Sequence, residues 1–176
     1  MNDTFVIPVS GLAQGATEFR LTAGNAFFAS YGNPEILGAS VSVTALVRKA
    51  GRTVDIDLGM EGHVSVPCDR CLEEVSLPVS ANALLRVGAD GQEEGEEVDG
   101  REIVLADAPD GGLDLSQVVY DYVCTSLPLH KVHPDGLCNP AAGKFLRHEE
   151  DPAERDAAAS QNPFAALKNL LKESGK

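Results

Sequence analysis

Nowhere does the 176-residue sequence carry the roughly 18 consecutive apolar residues that a membrane-spanning helix needs. Its opening, Met1-Asn2-Asp3, is neither basic nor apolar, so a secretory leader is not expected, and the expectation is a cytoplasmic protein without a membrane partner. The glycine-rich phosphate loops Gly-x-Gly-x-x-Gly and Gly-Lys-Ser/Thr are missing, as is the Gly-x-Ser-x-Gly elbow, which argues against nucleotide use and against that nucleophile. Basic residues are scarce. Fourteen Lys and Arg face 27 Asp and Glu, and the net charge of -13 repels a phosphate backbone at long range, so broad binding of RNA is disfavoured. Cysteine is sparse too: four thiols in a reducing compartment point to metal ligands, catalytic groups or core fillers before a disulfide framework.

What the chain does have is period-two alternation. The first 35 residues, with Phe5-Val6-Ile7 and Phe27-Phe28 set among Gly, Asn and Pro, suit strands and turns better than helix. Val41, Val43, Ala45 and Val47 share one parity against Ser40, Ser42 and Thr44, the pattern of a half-buried strand. A turn over Arg48–Arg52 leads into Val54, Ile56, Leu58 and Met60, alternating with Asp55 and Asp57; Val64 and Val66 resume the pattern past Gly59 and Gly62, which are read as a bulge. Val75, Leu77 and Val79 then alternate with Ser76, Pro78 and Ser80, and Pro78 suits an edge strand.

Gly88 to Gly100 has no apolar period and several like charges, so a mobile, solvated loop is expected there. Ile103-Val104-Leu105 reads as one more short strand. Asp114 offers an N-cap for a helix over Leu115–Ser126, with Leu115, Val118, Val119, Tyr122 and Val123 as its stripe and Pro128 as its stop. Beyond Leu146 the chain turns polar and Ala-rich. Asn162-Pro163 then forms a helix-start pair, with Phe164, Leu167, Leu170 and Leu171 on one face. Such a short helix is marginal alone, so this face docks on the body or on a partner. The expected architecture is α+β, a mainly antiparallel sheet or partial barrel with one long helix. Residues 1–148 form one domain, 149–161 a flexible linker and 162–176 an amphipathic helix.

Cys68 and Cys71 are two residues apart in a tip flanked by strand patterns, a spacing that lets both sulfurs converge on one tetrahedral ion. Two further donors are needed, and Cys124, His130, His133, Cys138 and His148 are downstream. Cys124 falls in the last turns of the helix, where a buried thiol is commonly a core filler. His133 and Cys138 lie in an irregular segment with Gly and Pro, so Cys68, Cys71, His133 and Cys138 are the preferred set for one structural zinc ion. His130 competes with His133, and His63 is on the polar parity of its strand. A redox dithiol at Cys68 and Cys71 is the alternative, although such motifs sit before a helix rather than between strands. Acidic runs at Glu93–Glu102 and Glu149–Asp151 are read as solvated. Arg48, Lys49 and Arg52 make the one basic patch from which contact with RNA would start, and a polar turn is the plainer reading.

Three pieces of the chain resemble the YceD family of large ribosomal RNA subunit accumulation proteins. They are Cys68-Asp-Arg-Cys71-Leu72, Thr125-Ser-Leu-Pro128 leading to Val132-His133 and Cys138, and Asn162-Pro163-Phe164-Ala-Ala-Leu167. The resemblance implies a factor without catalytic activity that supports synthesis, processing or accumulation of 23S rRNA in large-subunit biogenesis. Its pattern falls on Cys68, Cys71, His133 and Cys138 rather than on Cys124 or His130. The acidic surface and the Phe164, Leu167, Leu170 and Leu171 face suggest a basic ribosomal protein or a large-subunit assembly factor as partner, with direct RNA contact left open.

Overall fold

A computed structural model describes residues 5–88, 93–106 and 112–142. The chain divides into a unit Met1–Cys138 and a unit Asn139–Lys176; all that follows concerns the first. The linker over 149–161 and the helix over 162–176, with Phe164, Leu167, Leu170 and Leu171, lie outside the described residues, as does His148.

Strands β1 (Val6–Pro8), β2 (Gly15–Gly24), β3 (Gly38–Ala50), β4 (Thr53–Pro67), β5 (Glu74–Val87), β6 (Glu97–Val98), β7 (Arg101–Val104) and β8 (Gly112–Asp114) are joined by helices α1 (Asn25–Ser30) and α2 (Ser116–Ser126). Six strands form one sheet in the order β2-β3-β4-β5-β7-β6, and β1 pairs with β8 in a separate ribbon. The sheet is antiparallel except where β7 runs parallel to the end of β5, Leu85 beside Glu102. It remains open, with β2 and β6 as its edges, in keeping with the expected mainly antiparallel sheet.

Alternation decides the layers. Val41, Val43, Ala45 and Val47 of β3, Val54, Ile56, Leu58, Met60, Val64 and Val66 of β4, and Val75, Leu77, Val79, Ala83 and Leu85 of β5 are buried on one face. Phe5, Ile7, Phe28, Leu113, Leu115, Val119 and Val123 cover them, so the β1–β8 ribbon and the helices form the second layer of one core. Phe27 and Phe28 belong to α1, not to a strand: Phe28 is buried, and Phe27 lies 4.6 Å from Phe5. Tyr31, just past α1, stacks on Tyr120 of α2 at 4.0 Å, joining the two helices.

Three other expectations are corrected. The bulge at Gly59 and Gly62 is absent, because β3 and β4 pair without a slip from Gly38–Ser65 to Ala50–Thr53. Gly62 is an inward position where the backbones come too close for a side chain: a Cβ there would stand 2.1 Å from the Ser40 carbonyl oxygen. Helix α2 has only 11 residues, about three turns, bounded by the Asp114 carboxylate that accepts from the Ser116 amide at 2.8 Å and by the approach to Pro128.

The acidic stretch after Gly88 is in part sheet: β6 and β7 are joined through Asp99 and Gly100, both at positive φ (54° and 73°), the two-residue hairpin that Asp-Gly favours. Glu93, Glu94, Glu96, Glu97 and Asp99 are exposed, as read from the sequence, while Asp99 accepts from Arg86 at 3.0 Å and Glu102 from the Tyr122 hydroxyl at 2.9 Å. The Arg48, Lys49 and Arg52 group is the polar turn of the plainer reading, with Arg48 and Arg52 exposed and two of its cations paired within the protein. Arg48 pairs with Asp57, and Lys49 Nζ donates to the carbonyls of Val9 (3.2 Å) and Leu12 (3.0 Å).

Pro78, which has no N–H to donate, occupies the part of β5 that β7 does not reach. Among the described residues no helix is long and apolar enough to cross a membrane.

The two glycines of β4 should respond differently to a methyl group. Gly62→Ala is expected to lower unfolding free energy by roughly 2–3 kcal/mol through the clash with Ser40. Gly59→Ala, whose Cβ would meet only Asn82 Oδ1 at 3.6 Å, should stay within about 0.5 kcal/mol of the parent. Urea unfolding of the two variants measures both.

Candidate metal centre

Strand β4 ends at Pro67 and β5 begins at Glu74, paired across the tip. Between them the chain makes one tight turn: Cys68 N–H donates to the Glu73 carbonyl (2.8 Å) and Leu72 N–H to the Cys68 carbonyl (2.9 Å). The Arg70 amide points at Cys68 Sγ, 3.4 Å away. This turn aims the sulfurs of Cys68 and Cys71 to one side, and the segment after α2 supplies what they face.

That segment is held by Asp69. Its amide donates to the Lys131 carbonyl and its carboxylate accepts from the Lys131 amide, both at 2.7 Å, a two-bond brace between knuckle and segment. Lys131 Nζ also reaches Glu35 at 2.7 Å. The Arg70–Asp135 pair is looser, at 3.7 Å with both side chains well exposed, and adds little. Two residues past the brace stands His133, whose Nε2 lies 3.0 Å from the Glu74 carbonyl. A carbonyl only accepts, so Nε2 carries the proton and the lone pair of the neutral ring is on Nδ1, the atom turned to the thiols.

The donor atoms of Cys68, Cys71, His133 and Cys138 all lie within 4.8 Å of one another. Cys68 and Cys138 sulfurs are 3.8 Å apart, Cys71 Sγ is 3.4 Å from His133 Nδ1, and Cys138 Sγ is 3.9 Å from the same nitrogen. A tetrahedral ion with metal–sulfur bonds of about 2.3 Å and a metal–nitrogen bond of about 2.0–2.1 Å requires S···S edges of about 3.8 Å and S···N edges of about 3.6 Å. These three spacings lie within about 0.3 Å of those edges, and 3.8 Å is far too long for a disulfide. Cys68 is buried and the other three donors are half-buried.

The thiols differ in their readiness to ionise. Burial acts against a thiolate at Cys68, but the amides of Cys71 and Arg70 together with His133 outweigh it and bring its pKa down to about 6. Cys138 is pushed up, first by burial and then by the neighbouring thiols. His133 is raised, chiefly by its hydrogen bond with Cys68. The shift at Cys68 favours its thiolate, and a bound cation would compete with the protons of the cluster.

The remaining sequence candidates are elsewhere. Cys124 of α2 lines a cavity of about 280 Å³ with Ile36, Val66 and Leu127, and burial pushes its thiol up. His130 and His63 are exposed and stand outside the four-donor group. The contribution of Asp69 was missed in the sequence. Its signal was an Asp directly after the first cysteine, a residue type that readily bonds backbone amides.

The family model for Large ribosomal RNA subunit accumulation protein YceD matches residues 56–171, a span that holds all four donors. No curated protein and no solved structure matches the chain.

Asp69→Ala should loosen the ligand-bearing segment without touching a donor. The loss of one charge-assisted bond predicts a stability decrease of about 1–2 kcal/mol. Hydrogen exchange should quicken at Lys131 while the β4 amides stay protected.

Proposed function

The chain belongs to the YceD family of large ribosomal RNA subunit accumulation proteins, and from that premise we propose that it is a non-enzymatic factor of large-subunit biogenesis, supporting 23S rRNA synthesis, processing or accumulation, with one structural zinc ion held by Cys68, Cys71, His133 and Cys138. The observation that carries the zinc is the convergence of three sulfurs and one imidazole nitrogen, all within 4.8 Å of one another, from two distant stretches of chain. Three thiolates and one imidazole form a closed shell with no position for substrate or water, the pattern of a structural ion rather than a catalytic one. The ion's work is to fasten residues 131–138 to the β4–β5 tip.

Against a dithiol redox pair stands the surrounding geometry. Cys68 is buried, strands flank the motif on both sides, and the sulfur within 3.8 Å of Cys68 belongs to Cys138. The low pKa of Cys68 favours ion capture as much as it would favour reactivity. The proposed place of action is the cytoplasm, on pre-ribosomal particles. A net charge of -13 favours a basic protein as the direct partner over an extended RNA surface.

The role is tested by gene deletion and complementation. Loss of the gene should lower 23S relative to 16S rRNA, the intact chain should restore it, and Cys71→Ser should not; unchanged 23S rRNA in the deletion strain would contradict the role. The zinc is tested by pH. Because the Cys68 thiolate persists above its pKa of about 6 and is lost below it, zinc uptake by the metal-free protein should weaken as pH falls from 7 to 5. A Cys68→Ser chain should show weaker uptake throughout and a shallower pH dependence, read by competition with a chromophoric chelator.

A further inference from the structure

Leu72 follows the second cysteine of the knuckle and holds a φ of 61°, the left-handed region that glycine enters freely and leucine enters only at a cost. Its amide closes the turn onto the Cys68 carbonyl, so the turn itself imposes that conformation. Glycine would relieve the strain. The chain instead has a leucine there, and 80% of it is in solvent. Neither backbone preference nor burial accounts for the choice, and strain of this kind collects where a surface is used.

Leu72 is not alone. Leu137, immediately before Cys138, is 68% exposed, and since the donor sulfurs of Cys71 and Cys138 lie within 4.8 Å, both leucines stand one residue from the same site. Leu129, 95% exposed, precedes by two residues the Lys131 that Asp69 grips. Half of the six large hydrophobic residues that are exposed among the described ones thus belong to the knuckle and the segment it holds. Around them Asp69, Glu73, Glu74 and Asp135 are exposed. Of the nearby cations, Lys131 is held by Glu35 at 2.7 Å and Arg70 lies loosely against Asp135 at 3.7 Å.

We propose that Leu72 and Leu137, with Leu129 beside them, form a docking surface for a basic protein segment that carries apolar side chains. The leucines serve as anchors, and the acidic rim selects a positive partner and repels phosphate. The choice of that partner among large-subunit proteins rests on the role proposed above. The zinc ion would then be the device that assembles the surface, because it joins the two stretches of chain that bear Leu72 and Leu137.

The test uses the full-length protein with its metal and, as probe, the basic proteins extracted from isolated large ribosomal subunits and freed of RNA. The double variant Leu72→Gly/Leu137→Ser should keep its metal content and a melting temperature no lower than the parent's while the dissociation constant for the bound protein rises at least about tenfold, the scale of losing two anchors. Leu84→Ser, a leucine exposed elsewhere on the sheet, should change nothing. A photo-cross-linking residue at position 137 reads the contact in an otherwise native chain: it should label a basic ribosomal protein, and one at position 84 should not. Parent-like binding by the double variant overturns the surface alone, as do cross-links from position 137 to RNA only or to a second copy of this chain. A native chain that binds none of these proteins contradicts the large-subunit role itself, and the proposed partner with it.

Discussion

Fifteen residues of β4 keep one face toward the core without a register slip, and the rest of the molecule is positioned from that strand. Its pairing with β3 runs over Thr53 to Ser65 and its pairing with β5 over Asp55 to Pro67. Because side chains alternate with a period of two, one slipped residue would turn Val54, Ile56, Leu58, Met60, Val64 and Val66 from core to solvent. It would also turn Cys68, the next inward position, away from its partners. Gly62 preserves the register at the one place where β3 comes too close for a side chain. A hydrophobic constraint over the whole strand thus aims a single sulfur.

The second layer depends on that first one. The β1–β8 ribbon and α2 cover the inner face with Ile7, Leu113, Leu115, Val119 and Val123. On the outer face, Arg86 and Arg101 bind Asp55 and Asp57 of β4 and so tie β5 and β7 to it, while Arg101 also reaches the Leu85 carbonyl. With α2 docked, the chain emerging from it at Leu127 is close enough to the tip for Asp69 to take hold of Lys131. His133 and Cys138 follow within a few residues. The order of dependence therefore runs from sheet, to helix, to brace, to the cluster of Cys68, Cys71, His133 and Cys138, which draws an irregular segment against the β4–β5 tip.

Much of this was legible in the sequence, for a physical reason: burial on one face writes itself as alternation, and β3, β4 and β5 are long enough for the pattern to be unmistakable. The four donors were legible because two cysteines in a tip and a His–Cys pair in an irregular segment have few structural alternatives. What escaped was short or compensated. Helix α1 has six residues, too few to display a helical period, and Phe27-Phe28 alone reads equally as strand. The Asp99-Gly100 hairpin was obscured by surrounding carboxylates, although the dipeptide is a strong turn signal. The partners of Arg48 and Lys49, Asp57 and the carbonyls of Val9 and Leu12, become neighbours only after folding. The apparent bulge at Gly62 came from reading a missing side chain as a missing register position.

The central claim is that these constraints converge on one tetrahedral zinc shell. X-ray absorption at the zinc edge, on full-length protein purified under reducing conditions and analysed for metal in parallel, tests it most directly. The account predicts one zinc per chain with three sulfurs at about 2.3 Å and one nitrogen at about 2.0–2.1 Å. A protein without bound zinc, with Cys68, Cys71 and Cys138 all freely titratable, would contradict it.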